Sequence, residues 1–376
     1  MPRSGIREIM DLAQRPGVIH LEIGQPNFPT PPHVVAAANH AAEQGQTGYT
    51  ANAGLPELCE ALAAMLQQDN GVRVASEQII VTIGAMGALY GSLLSVLEPG
   101  DQLLVPDPGY PNYRMTAELC GAEWVPYPLP AADGYQPDLD ALAAAISPRT
   151  KAIVIGSPSN PTGTVIHRDR LAAIVELACR HDLYLVSDEC YAKIVFDGTQ
   201  VSPAGLGAGD RCFTVGSFSK RYAMTGWRIG YVACPKPFAP LLVKLQEATV
   251  SCAPVLSQHA ALAALAGPQD CVDAMVGAYR ERRDLACELL TGAGLCRYRP
   301  EGAFYLLVDL PGQVADTYAY ARRLVDEADV ATAPGETFGA GGRGCVRISL
   351  ATSSDLLREG IRRLIGFATS VERTAS

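Results

Sequence analysis

The chain has 376 residues, 48% of them apolar, and a formal net charge of −9 at neutral pH. A chain of this length can bury a large core and is expected to fold as two domains. Its basic residues are scattered along the sequence, which argues against a nucleic acid or an anionic membrane as partner.

No segment of the sequence is typical of secretion or of membrane insertion. No early stretch combines basic residues, an apolar run and a cleavage site, and no apolar run approaches the ~20 residues that cross a bilayer. The 11 cysteines include no C-x-x-C pair, which favours reduced thiols in the cytoplasm over disulfides or zinc. The histidines show no metal-ligand spacing, so we expect no metal site.

The first part of the chain ends in a proline-rich segment, residues 26–32, that could link an N-terminal arm to the body of the protein. From about residue 79 to 250, apolar runs alternate with helical patterns such as 85–97 and 170–181. Strands are predicted at residues 79–83, 102–105, 152–155, 183–187, 212–215 and 229–233. Continuous apolar strands separated by helices predict a mostly parallel sheet that is covered on both faces.

The pattern changes after about residue 254. A long helix is predicted over residues 268–290, with Arg280, Arg282 and Arg283 on its exposed side. The remaining elements are a strand at residues 304–310, a helix at 315–328 and a final strand at 345–350. Together they predict a smaller α/β unit.

Polar residues, an aromatic ring, an acid and cations follow the ends of the predicted strands. Ligands of open parallel sheets bind outside the carboxyl ends of the strands, so these side chains are expected to share one site. In chain order they are Gly84, Ala85, Met86, Tyr110, Asn160, Asp188, Tyr191, Ser217, Ser219, Lys220 and Arg228.

This set offers what an aldehyde cofactor with a phosphate and a pyridine ring requires. A phosphate binds backbone N–H groups at a helix start, hydroxyl groups and a cation, which residues 84–86, 217, 219 and 228 supply. Tyr110 can stack on the ring, and a buried Asp188 can keep the ring nitrogen protonated. Asn160 and Tyr191 can donate to the phenolate oxygen. Lys220 supplies the amine that an aldehyde needs.

A series of short motifs runs along nearly the whole chain. They are Gly24-Gln25-Pro26-Asn27-Phe28, Tyr49, Gly54, Asn160-Pro161-Thr162-Gly163, Asp188-Glu189-Cys190-Tyr191, Ser217-Phe218-Ser219-Lys220, Gly226-Trp227-Arg228-Ile229-Gly230-Tyr231 and Val346-Arg347-Ile348-Ser349. Asn-Pro-Thr-Gly alone is a common turn, whereas the full series in this order is specific. The sequence resembles the class I and II aminotransferases of the pyridoxal-phosphate-dependent fold type I, the aspartate aminotransferase-like superfamily.

The resemblance implies a fold, a cofactor and an assembly. The fold is α/β, with a large domain on a mostly parallel seven-stranded sheet flanked by helices, and a smaller α/β domain. Residues 1–38 would form an arm and linker belonging to the small domain, 39–275 the large cofactor-binding domain and 276–376 the C-terminal small domain. The cofactor would be pyridoxal 5′-phosphate. The protein would be a homodimer in which Tyr49 reaches the phosphate of the neighbouring subunit.

The resemblance also implies the catalytic roles. Lys220 would form a Schiff base with the cofactor and then move the proton between the substrate α-carbon and the cofactor. Asp188 would pair with the pyridinium nitrogen, and Tyr110 would stack on the ring. Tyr191 and Asn160 would hold the phenolate oxygen.

Substrate recognition is implied only in part. Arg347 would bind the α-carboxylate as a bidentate fork, assisted by Asn160 and the backbone of Gly24. Dicarboxylate-specific relatives add an arginine from the partner subunit, but residues 247–266 contain none, so such a cation would have to enter from elsewhere. We therefore expect apolar, aromatic or longer polar amino acids, with 2-oxoglutarate or pyruvate as acceptor. Residues 4–10 could form an arm that covers the substrate.

Two residues depart from the family pattern within the predicted site. Met86 stands where many relatives carry a hydroxyl or lysine side chain in the phosphate cup, so only its backbone is expected to contribute. Gly156 stands where an asparagine is frequent.

The leading hypothesis is a dimeric transaminase that works by a ping-pong cycle between an amino acid and a 2-oxo acid. The same scaffold supports β-lyases that act on C–S bonds, and oxidases or hydroxylases that pass carbanion electrons to oxygen. Which reaction follows depends on which substrate bond lies perpendicular to the cofactor ring and on solvent access to the site. A non-catalytic regulator would need a DNA-binding segment, for which the residues before Gly24 leave no room.

Overall fold

A computed structural model describes residues 5–312, 314 and 316–375. Residue 4 of the predicted arm and residue 315 of the predicted helix lie outside this part. The α-helices are α1 (Gly5–Leu12), α2 (Pro32–Glu43), α3 (Pro56–Asn70), α4 (Gly84–Val96), α5 (Asn112–Leu119), α6 (Leu139–Ala145), α7 (Arg168–Arg180), α8 (Phe218–Arg221), α9 (Ala239–Thr249), α10 (Val255–Ala266), α11 (Asp270–Gly292), α12 (Thr317–Ala328) and α13 (Ser354–Ala375).

The strands form three sheets. They are β1 (Ile19–His20), β2 (Ile79–Thr82), β3 (Gln102–Asp107), β4 (Glu123–Pro128), β5 (Thr150–Gly156), β6 (Tyr184–Asp188), β7 (Cys212–Ser217), β8 (Gly230–Ala233), β9 (Tyr305–Asp309), β10 (Val330–Ala331), β11 (Ala333–Pro334) and β12 (Cys345–Ser349). No helix in the described part of the chain has the length and apolar character needed to cross a membrane.

The central sheet has seven strands in the order β2-β8-β7-β6-β5-β3-β4. Strand β8 is antiparallel to both neighbours, and the strands from β7 to β4 are parallel. Both faces are covered: in β5, Val154 packs in one buried cluster, whereas Ile153 and Ile155 pack in another on the opposite face. Alternate residues are therefore buried on both sides, which explains the continuous apolar strands and confirms the predicted fold class.

Strand β4 was not predicted, and its environment explains why. It lies at the edge of the sheet and pairs only with β3. Of its side chains only Tyr127 is buried, and Pro126 and Pro128 interrupt the apolar pattern. An edge strand in this position needs neither a continuous apolar run nor a full set of ladder donors.

The C-terminal part forms a smaller antiparallel sheet in the order β11-β12-β9. The N-terminal strand β1 pairs in parallel with β10, so backbone hydrogen bonds join the N-terminal segment to the C-terminal part of the chain. Helices α11, α12 and α13 bury an apolar cluster against this sheet. The domain boundaries at residues 38 and 275 remain predictions.

The prediction that three arginines lie on the exposed side of α11 is wrong for two of them. Arg280 is exposed, but Arg282 is only 7% exposed and Arg283 only 1%. Arg282 donates to the Asn27 side chain at 2.9 Å and to the Leu350 carbonyl at 3.2 Å. The guanidinium groups connect α11 to neighbouring segments, a role that helical periodicity cannot distinguish from a solvated face.

Candidate active site

A cavity of about 970 Å³ opens where β3, β5, β6 and β7 end. Parallel strands bring their carboxyl ends to one edge of a sheet, which makes this the expected place for a site. The cavity is lined by most of the residues predicted from the sequence, namely Gly24, Ala85, Met86, Tyr110, Asn160, Asp188, Tyr191, Ser217, Ser219, Lys220, Arg228 and Arg347. Gly84 lies beside Arg228 at its rim. Tyr49 is 91% exposed and lies outside the lining.

Lys220 follows β7 on the single-turn helix α8. Its Nζ donates to the carbonyl oxygen of Gly24 at 2.6 Å. The pKa of Lys220 is lowered from 10.5 to about 8, chiefly by burial and in part by the charges of Arg228 and Arg347, against the opposing effects of Cys190 and Asp188. A lysine with this pKa is partly neutral near physiological pH, so its amine can act as a nucleophile.

The start of α4 and Arg228 form a cradle that suits an anion. Helix α4 begins at Gly84 with no side-chain cap, so its first N–H groups have no side-chain acceptor. Gly84 has φ +67°, and a Cβ there would lie 2.4 Å from Nη2 of Arg228. Arg228 donates from Nη1 to the Thr225 carbonyl at 2.8 Å. Uncapped N–H groups beside a guanidinium are the expected partners of a phosphate.

The two serines of the same edge lie next to this cradle. Ser217 ends β7, and its Oγ accepts a hydrogen bond from the backbone N–H of Ser219 at 3.1 Å. Both serines line the cavity with Arg228. The structure therefore brings the hydroxyl groups and the cation that a phosphate needs into one cavity.

Asp188 ends β6 and is held by Tyr113, a residue that the sequence interpretation missed. The Tyr113 hydroxyl donates to Oδ2 of Asp188 at 2.8 Å, and the Cys190 backbone N–H donates to Oδ1 at 3.2 Å. A Cβ at Gly156 would lie 2.9 Å from the Tyr113 oxygen. The glycine that departs from the family pattern thus leaves room for the tyrosine that orients Asp188.

Tyr191 makes a contact that was not predicted. Its hydroxyl lies 2.9 Å from the hydroxyl of Tyr305, the first residue of β9. Burial raises the pKa of Tyr191 well above its usual value, so it is a neutral hydrogen-bond donor. The Tyr305 oxygen lies so close to Gly24 that a Cβ there would be only 1.8 Å away. Gly24 is therefore required by the packing of Tyr305 as well as by its carbonyl contact with Lys220.

Arg347 lies in β12 and is only 1% exposed. Its guanidinium lies between the rings of Tyr305 and Phe338, with centroid distances of 4.2 and 4.9 Å. It donates to Oδ1 of Asn160 at 2.9 Å and to the Glu22 carbonyl. Its Nε is buried and has no hydrogen-bond partner in the described part of the chain. A buried cation with an unused donor is arranged to receive an anion.

Comparison with known proteins finds relatives along nearly the whole chain. Residues 16–364 match the family described as aminotransferase class I and II. An aspartate/prephenate aminotransferase from Thermus thermophilus is 41% identical over 93% of this chain and 91% of that protein. An arginine–pyruvate transaminase from Pseudomonas aeruginosa is 37% identical over 95% and 92%. The solved structure of the Thermus thermophilus aspartate aminotransferase with maleate superposes with a TM-score of 0.93, at 39% identity, over 98% of this chain and 97% of that one.

Proposed function

Because the chain belongs to the class I and II aminotransferase family and is an amino-acid aminotransferase, we propose that it uses pyridoxal 5′-phosphate, attached at Lys220, to transfer the α-amino group of an amino acid to a 2-oxo acid in a ping-pong cycle. The observation that carries this proposal is the buried Lys220 amine, with its lowered pKa, in one cavity with Asp188, Arg228 and Arg347. The relatives differ in their named substrates, so the family alone does not give the substrate of this chain.

The residues of the cavity fit this cofactor. The uncapped start of α4 at residues 84–86, with Ser217, Ser219 and Arg228, would hold the phosphate. Asp188 would pair with the ring nitrogen, supported by the hydrogen bond from Tyr113. When bound, the cofactor supplies an electron-withdrawing ring that stabilises negative charge at the substrate α-carbon.

Tyr110, Tyr191 and Asn160 would hold the ring in place. Tyr110 lies in the cavity and contacts Tyr113 edge to face, with centroids 5.6 Å apart, so one side chain that orients Asp188 also fixes the Tyr110 ring. Tyr191 would donate to the phenolate oxygen from the position that its contact with Tyr305 defines. Asn160 would contribute to the same oxygen and to the orientation of Arg347.

The substrate would be held at its α-carboxylate and deprotonated at its α-carbon. Arg347 lines the cavity and would bind the carboxylate through the N–H groups that its hydrogen bonds to Asn160 and Glu22 leave unused. The Lys220 amine would accept the α-proton and pass it to the cofactor, and it would carry a proton in the opposite direction when the 2-oxo acid takes up the amino group; a pKa near 8 is well suited to both transfers. Burial of both groups keeps bulk water from competing for that proton.

Replacing Lys220 with Ala tests the proposal. We expect Lys220→Ala to lose amino transfer between an amino acid and a 2-oxo acid, whereas Lys244→Ala, which changes an exposed lysine of α9, should keep it. Borohydride reduction of the wild-type enzyme should add the cofactor mass to the peptide that contains Lys220. Full activity of Lys220→Ala would contradict the proposal. If the enzyme released a thiol and pyruvate instead of forming the new amino acid, its reaction would be an elimination. If it consumed oxygen instead, its reaction would be an oxidation.

The proposal extends to the assembly and location of the enzyme. Tyr49 is 91% exposed on the free chain, which suits a side chain that completes the phosphate site of a second subunit in a homodimer. All 11 cysteines are free, which supports a cytoplasmic location.

A further inference from the structure

We propose that Asp107 positions Arg347 for the substrate α-carboxylate, by fastening the segment of residues 337–341 to the end of strand β3. This inference rests on the proposed function, because it adds a positioning residue to the carboxylate site of that reaction. Asp107 does not line the active-site cavity. It would therefore act on the substrate only through the residues that it holds in place.

The Asp107 carboxylate binds two backbone N–H groups of the C-terminal part of the chain. Its Oδ1 accepts from Gly341 at 2.8 Å, and its Oδ2 accepts from Ala340 at 3.2 Å. These residues begin the short turn Ala340–Gly342, and N–H groups at the start of a helical turn have no acceptor within it. Asp107 therefore caps this turn from a position 233 residues before Ala340 in the chain.

Two glycines allow the segment to approach Asp107 this closely. Gly339 has φ +120°, and a Cβ there would lie 2.2 Å from Oδ1 of Asp107. A Cβ at Gly341 would lie 2.6 Å from Cδ of Pro108. Glycine is the residue that permits such a close approach of the backbone. The glycines of this segment therefore serve its contact with the end of β3.

Two further hydrogen bonds join the segment to the residues that follow Asp107. The Gly109 N–H donates to the Phe338 carbonyl at 2.8 Å. Nη2 of Arg114 donates to the Thr337 carbonyl at 2.6 Å. Asp107 takes part in two of these four hydrogen bonds, more than any other side chain of the contact, so its removal should loosen the segment most.

The segment held in this way carries Phe338, which packs against Arg347. Phe338 is only 1% exposed, and the centre of its ring lies 4.9 Å from the guanidinium carbon of Arg347. A ring packed against a planar guanidinium limits the directions in which the N–H groups can point, and a bidentate contact with a carboxylate requires one direction. Holding Phe338 in place therefore holds Arg347 ready for the substrate.

Asp107→Ala tests this role in the cofactor-loaded enzyme. Of leucine, phenylalanine, glutamine and glutamate, each amino acid that the wild type accepts should show a KM about 5- to 10-fold higher, because two charge-assisted hydrogen bonds behind Phe338 are lost. Its kcat should fall by no more than about 2-fold, since Asp107 touches no reacting group. Asp107→Asn keeps one acceptor oxygen and should give an intermediate KM.

Two unreactive or truncated ligands separate an effect on the carboxylate site from a general loss. Calorimetry should show about 5- to 10-fold weaker binding of the acid that has the side chain of the substrate but no amino group, such as 3-phenylpropanoate for phenylalanine or 4-methylpentanoate for leucine. Single-turnover reaction with the amine that lacks the carboxylate, such as 2-phenylethylamine or 3-methylbutylamine, should change by no more than about 2-fold, because Arg347 has nothing to bind there.

Asp138→Ala is the matched control. Asp138 is also a half-buried aspartate that caps a helical turn, since its Oδ1 accepts from Asp140 at 3.1 Å and Ala141 at 3.0 Å, and it does not line the cavity. Both variants lose a cap and should lose similar stability in urea unfolding, yet only Asp107→Ala should change KM. In the cofactor-free protein, hydrogen exchange of the turn Ala340–Gly342 should be faster in Asp107→Ala and unchanged in Asp138→Ala.

Unchanged KM and unchanged acid binding in Asp107→Ala would overturn the role of Asp107. Equal losses for the amino acid and for the amine without a carboxylate would also overturn it, as would an equal rise of KM in Asp138→Ala. Absence of amino transfer from every amino acid in the wild-type enzyme would instead refute the proposed function, and acid binding and hydrogen exchange would still test the contact.

Discussion

The Lys220 amine is in a position where its charge is costly. Its pKa is about 8 instead of 10.5, chiefly because of burial, and the nearby Arg228 and Arg347 oppose its protonation. Such a shift favours reaction with an aldehyde at neutral pH. The same shift must reduce the stability of the cofactor-free protein, since the folded state holds the protonated amine less well than the unfolded chain does.

This cost predicts that, without cofactor, the free energy of unfolding differs between the wild type and Lys220→Met by an amount that depends on pH. Below about pH 8 the amine is protonated in both states and the full penalty, about 3 kcal/mol, favours the variant. Between about pH 8 and pH 10.5 the unfolded chain keeps more protons, so wild-type stability rises with pH and the difference shrinks. Denaturant unfolding of both proteins measures it. Lys244→Met, at an exposed site, should show no such trend; a difference constant with pH would contradict the prediction.

Most individual site residues could be predicted because they follow strand ends or belong to motifs. Tyr113 and Tyr305 could not. Tyr113 lies within α5, three residues after the predicted Tyr110, and only the folded structure brings its hydroxyl to Asp188. Tyr305 begins a buried strand, where an aromatic residue is ordinary core, and its contacts with Tyr191 and Arg347 join segments far apart in the chain.

At the scale of elements, α11 shows why a polar pattern can mislead. Arg283 donates from Nη1 to Asp197 at 2.5 Å and to the Pro300 carbonyl at 2.7 Å, and its guanidinium lies 5.0 Å from the centre of the Phe196 ring. These contacts bury a side chain that the sequence alone assigns to solvent. The helices and strands that periodicity predicted end within about two residues of their bounds in the described part of the chain. The partners of buried polar residues depend on tertiary contacts, as does the edge strand β4.

Arg283→Ala should destabilise the protein more than Arg280→Ala does. The first change removes buried hydrogen bonds and leaves a void, at a cost of about 2–4 kcal/mol. Arg280 is exposed on the same helix and makes one hydrogen bond, to the Phe196 carbonyl at 3.0 Å, so its loss should cost about 1 kcal/mol or less. Urea unfolding of the two variants compares them directly. Equal effects would mean that the buried contacts of Arg283 add nothing to stability.

At the scale of the whole molecule, the proposed role of Tyr49 requires a second chain. Lys220 and Asp188 line the cavity of one chain, whereas Tyr49 of that chain is exposed and lies outside this lining. In a twofold-symmetric dimer, a surface residue of each subunit can complete the site of the other. If two subunits share each site in this way, variants with different defects should restore each other's activity, which cannot happen in a monomeric enzyme.

Mixing two impaired variants should restore activity if the sites are shared. In a hybrid of Tyr49→Ala and Lys220→Ala subunits, one site carries both changes and the other carries neither. Random exchange of subunits gives hybrids for half of the dimers, so about a quarter of all sites should be intact. A mixture of Lys220→Ala and Asp188→Ala is the control, because both residues line the same cavity and every hybrid site keeps one defect. Refolding the mixed variants together and measuring amino transfer distinguishes the cases. Recovery in the control, or none in the Tyr49 mixture, would contradict a shared site.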